Sequence, residues 1–406
     1  MVERIDQPWL AQPSVQKVLA LLSSDGGEAR VNGGAVRNAL LNEPVGDIDI
    51  ATTLEPSEVV KRAKAAKIKS VPTGIDHGTV TLVIDADAFE VTTLRSDVET
   101  DGRHAVVRFG TDWTEDAQRR DLTMNALYCA ADGTVFDPLS GYDDLMNRRV
   151  RFIGDALDRI REDRLRILRF FRFFAWYGAF RPDADGLRAC VREKNGLRNL
   201  SAERIWQELS KLLAAPDPSR ALLWMRQTGV LSVVLEESEN WGIDTIHGLV
   251  RVEKEENWQP DAVLRLMAII PPNTERVSAM SRRLKLPNRV RDRLLAWAAS
   301  PMPDKKLKKP DFHKWLYGQD SSAVEAQLRL LIASDGERAK KAAKYLKWLI
   351  KWAKPTFPVR GSDLLKLGFQ PGPDVSKVLS DLETLWVNSG FRLTTTDLLD
   401  DVTAPV

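Results

Sequence analysis

The chain has 406 residues, more than one ordinary globular domain holds, so several packed units with a sizeable apolar core are expected. Hydrophobic residues at 43% and charged residues at 29% exclude disorder, while a net charge of only +2 argues neither for nor against a polyanionic partner. Met1 to Asp6 carry no basic and apolar leader and no segment approaches the length of a membrane span, which makes a cytoplasmic address the expectation. In chain order, strands are expected at Ala29 to Asn32, Asp47 to Thr52, Thr79 to Ile84 and Phe89 to Leu94, the last two joined by Asp85-Ala86-Asp87 as a hairpin. Helices are expected from Gly34 to Leu41 and, following Pro56, from Ser57 to Ala66. Apolar residues at Leu157, Ile160, Leu165, Leu168, Phe171 and Phe174 recur at helical spacing, predicting one long amphipathic helix from Asp155 to Tyr177. Ala202 to Leu213, Ser219 to Thr228 and Asp261 to Ile270 continue the helical pattern, with Pro216, Pro218 and Pro271-Pro272 as stops. The fold class is therefore α+β. A mixed-sheet head (1–140) precedes a helical neck (141–215), body (216–285) and tail (286–406).

Asp47-Ile48-Asp49-Ile50 carries the densest chemistry. Side chains alternate along a strand, so both carboxylates are expected on one face and both isoleucines in the core. Two acids that close repel one another unless a cation lies between them, and oxygen ligands with room for water and phosphate suit Mg²⁺. Asp47 and Asp49 are thus the candidate catalytic metal ligands. A solvated edge strand shows the same bare alternation, but the upstream run Val31-Asn32-Gly33-Gly34-Ala35-Val36-Arg37 adds to it. A strand that ends in Gly33-Gly34 and opens a helix offers free backbone N–H groups where phosphates bind, and Arg37, one turn on, reaches the same anion. Cys129 and Cys190 are too few for a thiolate site or a disulfide-linked partner, and the four histidines stand singly, so carboxylates are left to hold any metal.

Gly33-Gly34-Ala35-Val36-Arg37 followed by Asp47-Ile48-Asp49-Ile50-Ala51-Thr52 resembles the nucleotidyltransferase signature of the class II tRNA nucleotidyltransferase and bacterial poly(A) polymerase family. Arg119-Arg120-Asp121-Leu122-Thr123-Met124-Asn125-Ala126-Leu127 is similar to that family's RRDxTxNA motif. The resemblance implies that Arg120 contacts phosphates and Asp121 the ribose, with Asn125 beside them in the nucleotide site. Asp137-Pro138, Gly141 and Asp143-Asp144-Leu145 resemble its head-to-neck connector. Asn38 stands where the family often has Asp, and Leu122 and Met124 replace the commoner Phe and Ile; none of these removes a metal or phosphate ligand. What the resemblance implies is a polymerase β-like head and Mg²⁺-dependent attack of an RNA 3′-hydroxyl on the α-phosphate of CTP or ATP, releasing pyrophosphate.

Glu162-Asp163-Arg164-Leu165-Arg166 resembles the family's EDxxR motif. On one helix Asp163 and Arg166 would lie side by side, an acceptor next to a donor. Cytosine and adenine each present an amino donor next to a ring-nitrogen acceptor, whereas uracil and guanine present a carbonyl next to a ring N–H. Such a pair would therefore select C and A, and each mismatch would cost about 1–3 kcal/mol. Arg169 and Arg172, on following turns, are implied by the resemblance to orient this template and the triphosphate. Thr92 to His104, polar and broken by Gly102, reads as a mobile loop and is similar to the flexible loop that family members use in changing from C to A.

Near the end, Arg338 to Lys354 holds seven basic residues and no acid, interleaved with Tyr345, Trp348 and Trp352. Lys340, Lys344, Lys347 and Lys351 follow helical spacing along one side and are candidate RNA-backbone contacts, with aromatics that either pack or stack. Arg360 to Leu365 and Leu367 to Pro373 also resemble a tail segment of the family. The expected partners are the tRNA 3′ end with CTP and ATP, and the expected activity is CCA addition. Poly(A) addition, CC-only or A-only addition and an inactive RNA-binding module stand as alternatives.

Overall fold

Alternation of apolar residues builds the sheet of the first part of the chain, and the computed structural model describes residues 4–75, 78–101, 104–238, 243–303, 306–334, 336–400 and 402–403. The chain divides into two units, Met1–Glu239 and Asn240–Val406. In the first, helix α1 (Pro13–Leu22) leads into strand β1 (Ala29–Asn32), helix α2 (Gly34–Leu40), strand β2 (Asp49–Thr52) and helix α3 (Pro56–Ala65). Strands β3 (Lys69–Gly74), β4 (Thr79–Ile84) and β5 (Asp87–Thr93) follow. Thr79-Val80-Thr81-Leu82-Val83-Ile84 buries every second residue, so β4 has one face in the core. Asp85, at φ +54°, turns β4 into β5 over two residues, with Ile84 opposite Asp87.

Strands β6 (Arg95–Asp101) and β7 (His104–Phe109) pair antiparallel as a separate ribbon. This corrects the expected mobile loop. Thr92 and Thr93 belong to β5, and the residues beyond Leu94 are extended because His104–Phe109, not read as a strand from sequence, supplies their ladder partner; Gly102 and Arg103 lie outside the described residues. Helix α4 (Trp113–Gln118) then precedes a single 3₁₀ turn at Thr123–Asn125 and the short strands β8 (Tyr128–Cys129) and β9 (Val135–Phe136). The seven-stranded sheet runs β3-β4-β5-β2-β1-β8-β9; β2 and β5 are parallel and the other neighbours antiparallel. Val31, Ile50, Val80, Leu82 and Val91 fill its core together with Val15, Val18, Leu19 and Leu22 of α1.

Helix α5 (Gly141–Met146) connects head to neck, its first N–H groups, from Gly141 and Tyr142, donating to Asp137 at 2.8 and 2.9 Å. A Cβ on Gly141 would meet the Thr123 carbonyl oxygen at 2.2 Å, so only glycine lets the connector approach the 3₁₀ turn. The neck expected as one helix is two, α6 (Ala156–Glu162) and α7 (Arg166–Tyr177). Asp163 leaves the helix at φ −149°, ψ 110°, and its Oδ1 accepts from the Leu165 N–H at 3.0 Å, so a new helix starts where the apolar period runs on unbroken. Helices α8 (Ala184–Glu193), α9 (Ala202–Leu213), α10 (Ser219–Gln227) and α11 (Val230–Val234) complete the unit.

Among its described residues, the regular elements of the second unit are helices: α12 (Ile243–Glu255), α13 (Ala262–Ile269), α14 (Thr274–Arg283), α15 (Asn288–Ala299) and α16 (Lys309–Tyr317), then α17 (Ser321–Ala333) and α18 (Glu337–Ile350). Helices α19 (Gly361–Lys366), α20 (Pro373–Asn388) and α21 (Thr395–Leu399) end it. Tyr345, Leu346 and Leu349 of α18 join Phe312, Leu316, Val324 and Leu328 in one core cluster, and Trp348 and Trp352 pack against it. The aromatics of the basic segment therefore pack. Lys340, Lys344, Lys347 and Lys351 are exposed.

Phe170 of α7 is fully buried, stacks on Phe152 at 5.3 Å and lies so close to Gly186 that a Cβ there would meet its ring at 2.8 Å. Phe170→Ala is expected to cost about 3–5 kcal/mol of unfolding free energy in urea titration. A loss below about 1 kcal/mol would contradict this packing.

Candidate active site

Strand β1 ends at Asn32 because Gly33 adopts φ +65°, ψ −116°, a conformation that side chains other than glycine's disfavour, and α2 begins at once. That turn also ends the ladder: Asn32 pairs with Asp49, and no β1 residue remains to pair with Asp47 or Ile48. Asp47 therefore stands exposed ahead of the strand and Ile48 is half-buried, whereas the expectation had both in β2 with Ile48 in the core. The two acids remain electrostatic neighbours. Burial, then Glu90 and Asp47, push the Asp49 carboxyl above the usual carboxylate range, and Arg120 offsets part of this. Glu90, directly across the parallel β2–β5 ladder from Asp49, was not read as a site residue; no local sequence signal fixes a parallel register.

Arg120 reaches across from the segment after α4. Its guanidinium donates to Asn32 Oδ1 at 2.9 Å and pairs with Asp116 at 3.0 Å. Asp116, buried, also pairs with Arg119 at 2.6 Å and accepts from the Tyr128 hydroxyl at 2.7 Å. Burial alone would raise its carboxyl, but the two arginines and Tyr128 hold it below the usual range.

Asp121 is buried too. Its Oδ2 accepts from Arg169 Nε at 2.6 Å, and its Oδ1 from the Leu122 N–H at 2.9 Å and Asn125 Nδ2 at 3.1 Å. Burial pushes this carboxyl up, and Arg169, Asn125 and the Leu122 N–H more than reverse that. Asn125 turns its other end to Arg37, accepting from Nη1 at 2.6 Å. Arg37, only 8% exposed, also donates to Asn38 Oδ1 at 3.0 Å and to the Tyr177 hydroxyl at 2.8 Å, with its guanidinium 4.2 Å from the Tyr177 ring centre. All three partners are neutral.

In the neck, Asp163 and Arg166 do not share a helix as expected. Asp163 lies in the break between α6 and α7 and pairs with Arg204 at 2.7 Å, while Arg166 pairs with Glu162 and donates to the Arg159 carbonyl at 3.0 Å. Arg169 and Arg172 lie on following turns of α7 against the buried Glu208 of α9, Arg172 at 2.6 Å. One cavity of about 430 Å³ gathers these elements: Asn32, Gly33, Gly34, Arg37, Asp49, Arg120, Asp121 and Asn125 from the head, with Asp163, Leu165, Arg166, Arg169, Phe173 and Arg204 from the neck. Asp47 and Arg172 stand outside its lining. Arg204 was missed in the sequence because its partner lies 41 residues upstream. Among the described residues, no cluster of three or more His, Cys, Asp or Glu is placed to hold a metal ion, and no helix is long and apolar enough to cross a membrane.

Because Asp116 and Asp121 titrate below the ordinary carboxylate range, the stability they contribute is complete above about pH 4 and is lost as pH falls through their lower folded values. Asp121→Asn is expected to cost about 3 kcal/mol at pH 7 and to flatten the acid limb of stability measured by urea unfolding. Equal pH slopes in variant and parent would contradict this.

Residues 29–151 match the family model described as the poly A polymerase head domain, and residues 179–241 the model described as a probable RNA and SrmB-binding site of polymerase A. The mitochondrial CCA tRNA nucleotidyltransferase 1 of Danio rerio is 34% identical over 382 residues, 92% of this chain and 86% of that protein. Its counterpart in Mus musculus is 35% identical over 400 residues, 95% of this chain and 88% of that one. Among solved structures, the Bacillus stearothermophilus CCA-adding enzyme in complex with CTP aligns with a TM-score of 0.73 at 28% identity, covering 95% of this chain and 94% of the other. With a glycine turn, an acid pair and an arginine-lined cavity between head and neck, and with this likeness along nearly its whole length, the chain belongs to the CCA tRNA nucleotidyltransferase family.

Proposed function

We propose that this protein adds CCA to the 3′ end of tRNA from CTP and ATP, within the 430 Å³ cavity shared by head and neck. The observation that carries the reading is the composition of that cavity: Asp49 at the start of β2, a cradle of arginines, and an acceptor and a donor for a base in Asp163 and Arg166. The RNA 3′-hydroxyl attacks the α-phosphate, the bond to the β-phosphate breaks and pyrophosphate leaves. Asp47 and Asp49 would hold Mg²⁺, which when bound would supply positive charge to favour the attacking oxygen as alkoxide and to neutralise the leaving pyrophosphate. The fit rests on charge and donor chemistry. Asp49 sits among other carboxylates that raise its pKa, and all the donors are hard oxygens, which suits an ion that takes one or two carboxylates and completes its shell with water and phosphate.

Gly33 and Gly34 leave room for the nucleotide's phosphates, and Arg37 and Arg120 bind them. Arg37 suits the task because its hydrogen-bond partners are neutral, leaving its charge available to an anion. Asp121 and Asn125 meet the ribose, Asp163 and Arg166 read the base edge, and Arg169 and Arg172 brace that edge through Asp121 and Glu208. We assign the head to 1–140, the neck to 141–215, the body to 216–285 and the tail to 286–406, with Lys340, Lys344, Lys347 and Lys351 neutralising RNA phosphates. A cytoplasmic setting belongs to the same reading and is supported by the two buried free thiols, which suit a reducing compartment.

Incubating the protein with tRNA lacking its 3′ terminus and each NTP singly tests the reading. C addition from CTP alone, and A addition only after C, are expected. Repeated A without C would instead make it a poly(A) polymerase, and product stopping at CC, or A added only to a CC end, would make it a partial enzyme. Asp47→Ala is expected to abolish transfer while gel-shift affinity for tRNA survives. Transfer retained by that variant would refute the metal assignment. Substituting Lys340, Lys344, Lys347 and Lys351 together by Ala is expected to weaken tRNA binding and lower the slope of log affinity against log salt by about 3 to 4, and an unchanged slope would remove α18 from the RNA path.

A further inference from the structure

Asp163 is an unusual residue to entrust with base selection, because it lies in a break between two helices, where backbone geometry alone does not fix its side chain. Its two oxygens are engaged separately. Oδ1 accepts the Leu165 N–H at 3.0 Å, and Oδ2 accepts Arg204 Nη2 at 2.7 Å. Each oxygen keeps lone-pair capacity for one more donor. Arg204 comes from the first turn of α9, lines the same cavity and is 29% exposed against 23% for Asp163, so the pair stands at the cavity wall. Two other cations of the neck, Arg166 and Arg169, line that cavity. A carboxylate free to rotate there could turn onto either of them, and pairing with Arg166 would consume both arms of the base-reading pair at once.

We propose that Arg204 is a positioning residue for nucleotide selection, holding Asp163 as a fixed acceptor and keeping it off Arg166. The inference rests on the reading of Asp163 and Arg166 as the base-reading pair. A carboxylate held in this way accepts the amino group of cytosine or adenine and meets the carbonyl of uracil or guanine with two opposed acceptors. Without Arg204 the aim of Asp163 is lost, and with it the discrimination, while the metal and phosphate residues of the head are untouched.

The test is kcat/KM for each of the four NTPs on tRNA lacking its 3′ terminus, measured for the parent, Arg204→Met, Arg204→Lys and Asp163→Ala. Arg204→Met is expected to lower the preference for CTP and ATP over UTP and GTP by about 5- to 50-fold, mostly by raising KM for the correct nucleotides. Thermal unfolding and tRNA affinity should match the parent. Millimolar guanidinium should restore part of the lost preference, which a merely structural defect would not allow. Arg204→Lys, which keeps the charge but not the planar fork, should fall between the two. Should Arg204→Met fail to fold, Arg204→Lys decides, and parental selectivity in that variant overturns the proposal. Parental selectivity in Arg204→Met beside relaxed selectivity in Asp163→Ala sinks the role of Arg204 alone. Parental selectivity in both sinks the base-reading pair itself.

Discussion

The buried carboxylate of Asp121 ties head to neck. Desolvating a charged carboxylate is costly unless ionic and hydrogen-bonding partners replace the lost water, and here the ionic partner comes from a different element of the chain. Arg169 reaches Oδ2 from α7, while Asn125 and the Leu122 N–H satisfy Oδ1 from the head. Asn125 is thereby oriented with its carbonyl towards Arg37, and Arg37 in turn meets Tyr177 at the far end of α7. One carboxylate thus sets the attitude of α2, the 3₁₀ turn and α7 together. Head and neck fall within a single compact unit, and the cavity between them has walls from both.

The arginines lining that cavity are not equivalent. Arg120 is balanced by Asp116, Arg169 by Asp121, Arg166 by Glu162 and Arg204 by Asp163. Arg37 differs, because Asn38, Asn125 and Tyr177 give it hydrogen bonds without opposite charge, and burial lowers its pKa without a carboxylate hydrogen-bonded to it to offset the effect. A buried guanidinium held by neutral dipoles is preorganised for an incoming anion, since binding then displaces no ion pair. Asn38, noted in the sequence only as a departure from Asp, acquires a physical meaning in this arrangement. An aspartate there would spend the charge of Arg37 on its neighbour.

Much of the head was legible because local rules governed it. Strands β1 and β4 fall where alternation and turn residues put them, and Asp85 closes the β4–β5 hairpin as its residue type suggests. What failed depended on partners distant in sequence. Asp47 lies outside β2 because β1 turns away at Gly33, an event on the neighbouring strand. Glu90 faces Asp49 through a parallel register, and Arg204 meets Asp163 across packed helices. The break at Asp163 is a different case. The apolar period runs on from Ile160 to Leu165 and Leu168, so the stronger periodic signal masked an extended aspartate whose side chain accepts the Leu165 N–H in the break.

The basic helix of the second unit shows the same competition between core and function, and its outcome limits what that helix can recognise. Tyr345 is buried, and its hydroxyl oxygen accepts from the Leu307 N–H at 2.7 Å. Trp348 packs between Phe312 and Tyr345, with ring centres 5.9 and 5.5 Å away, and carries Lys344 over its face at 5.0 Å. Trp352 lies on His313 at 5.5 Å. With its aromatics spent on packing, α18 presents a row of exposed lysines and no stacking platform to the RNA proposed to bind there. Lysine contacts to phosphate are indifferent to base identity, so this surface can set affinity and salt dependence but not the choice between nucleotides. On the proposed reading, selection among nucleotides is left to desolvated acceptors and donors at a base edge, the role assigned to Asp163 and Arg166 in the neck.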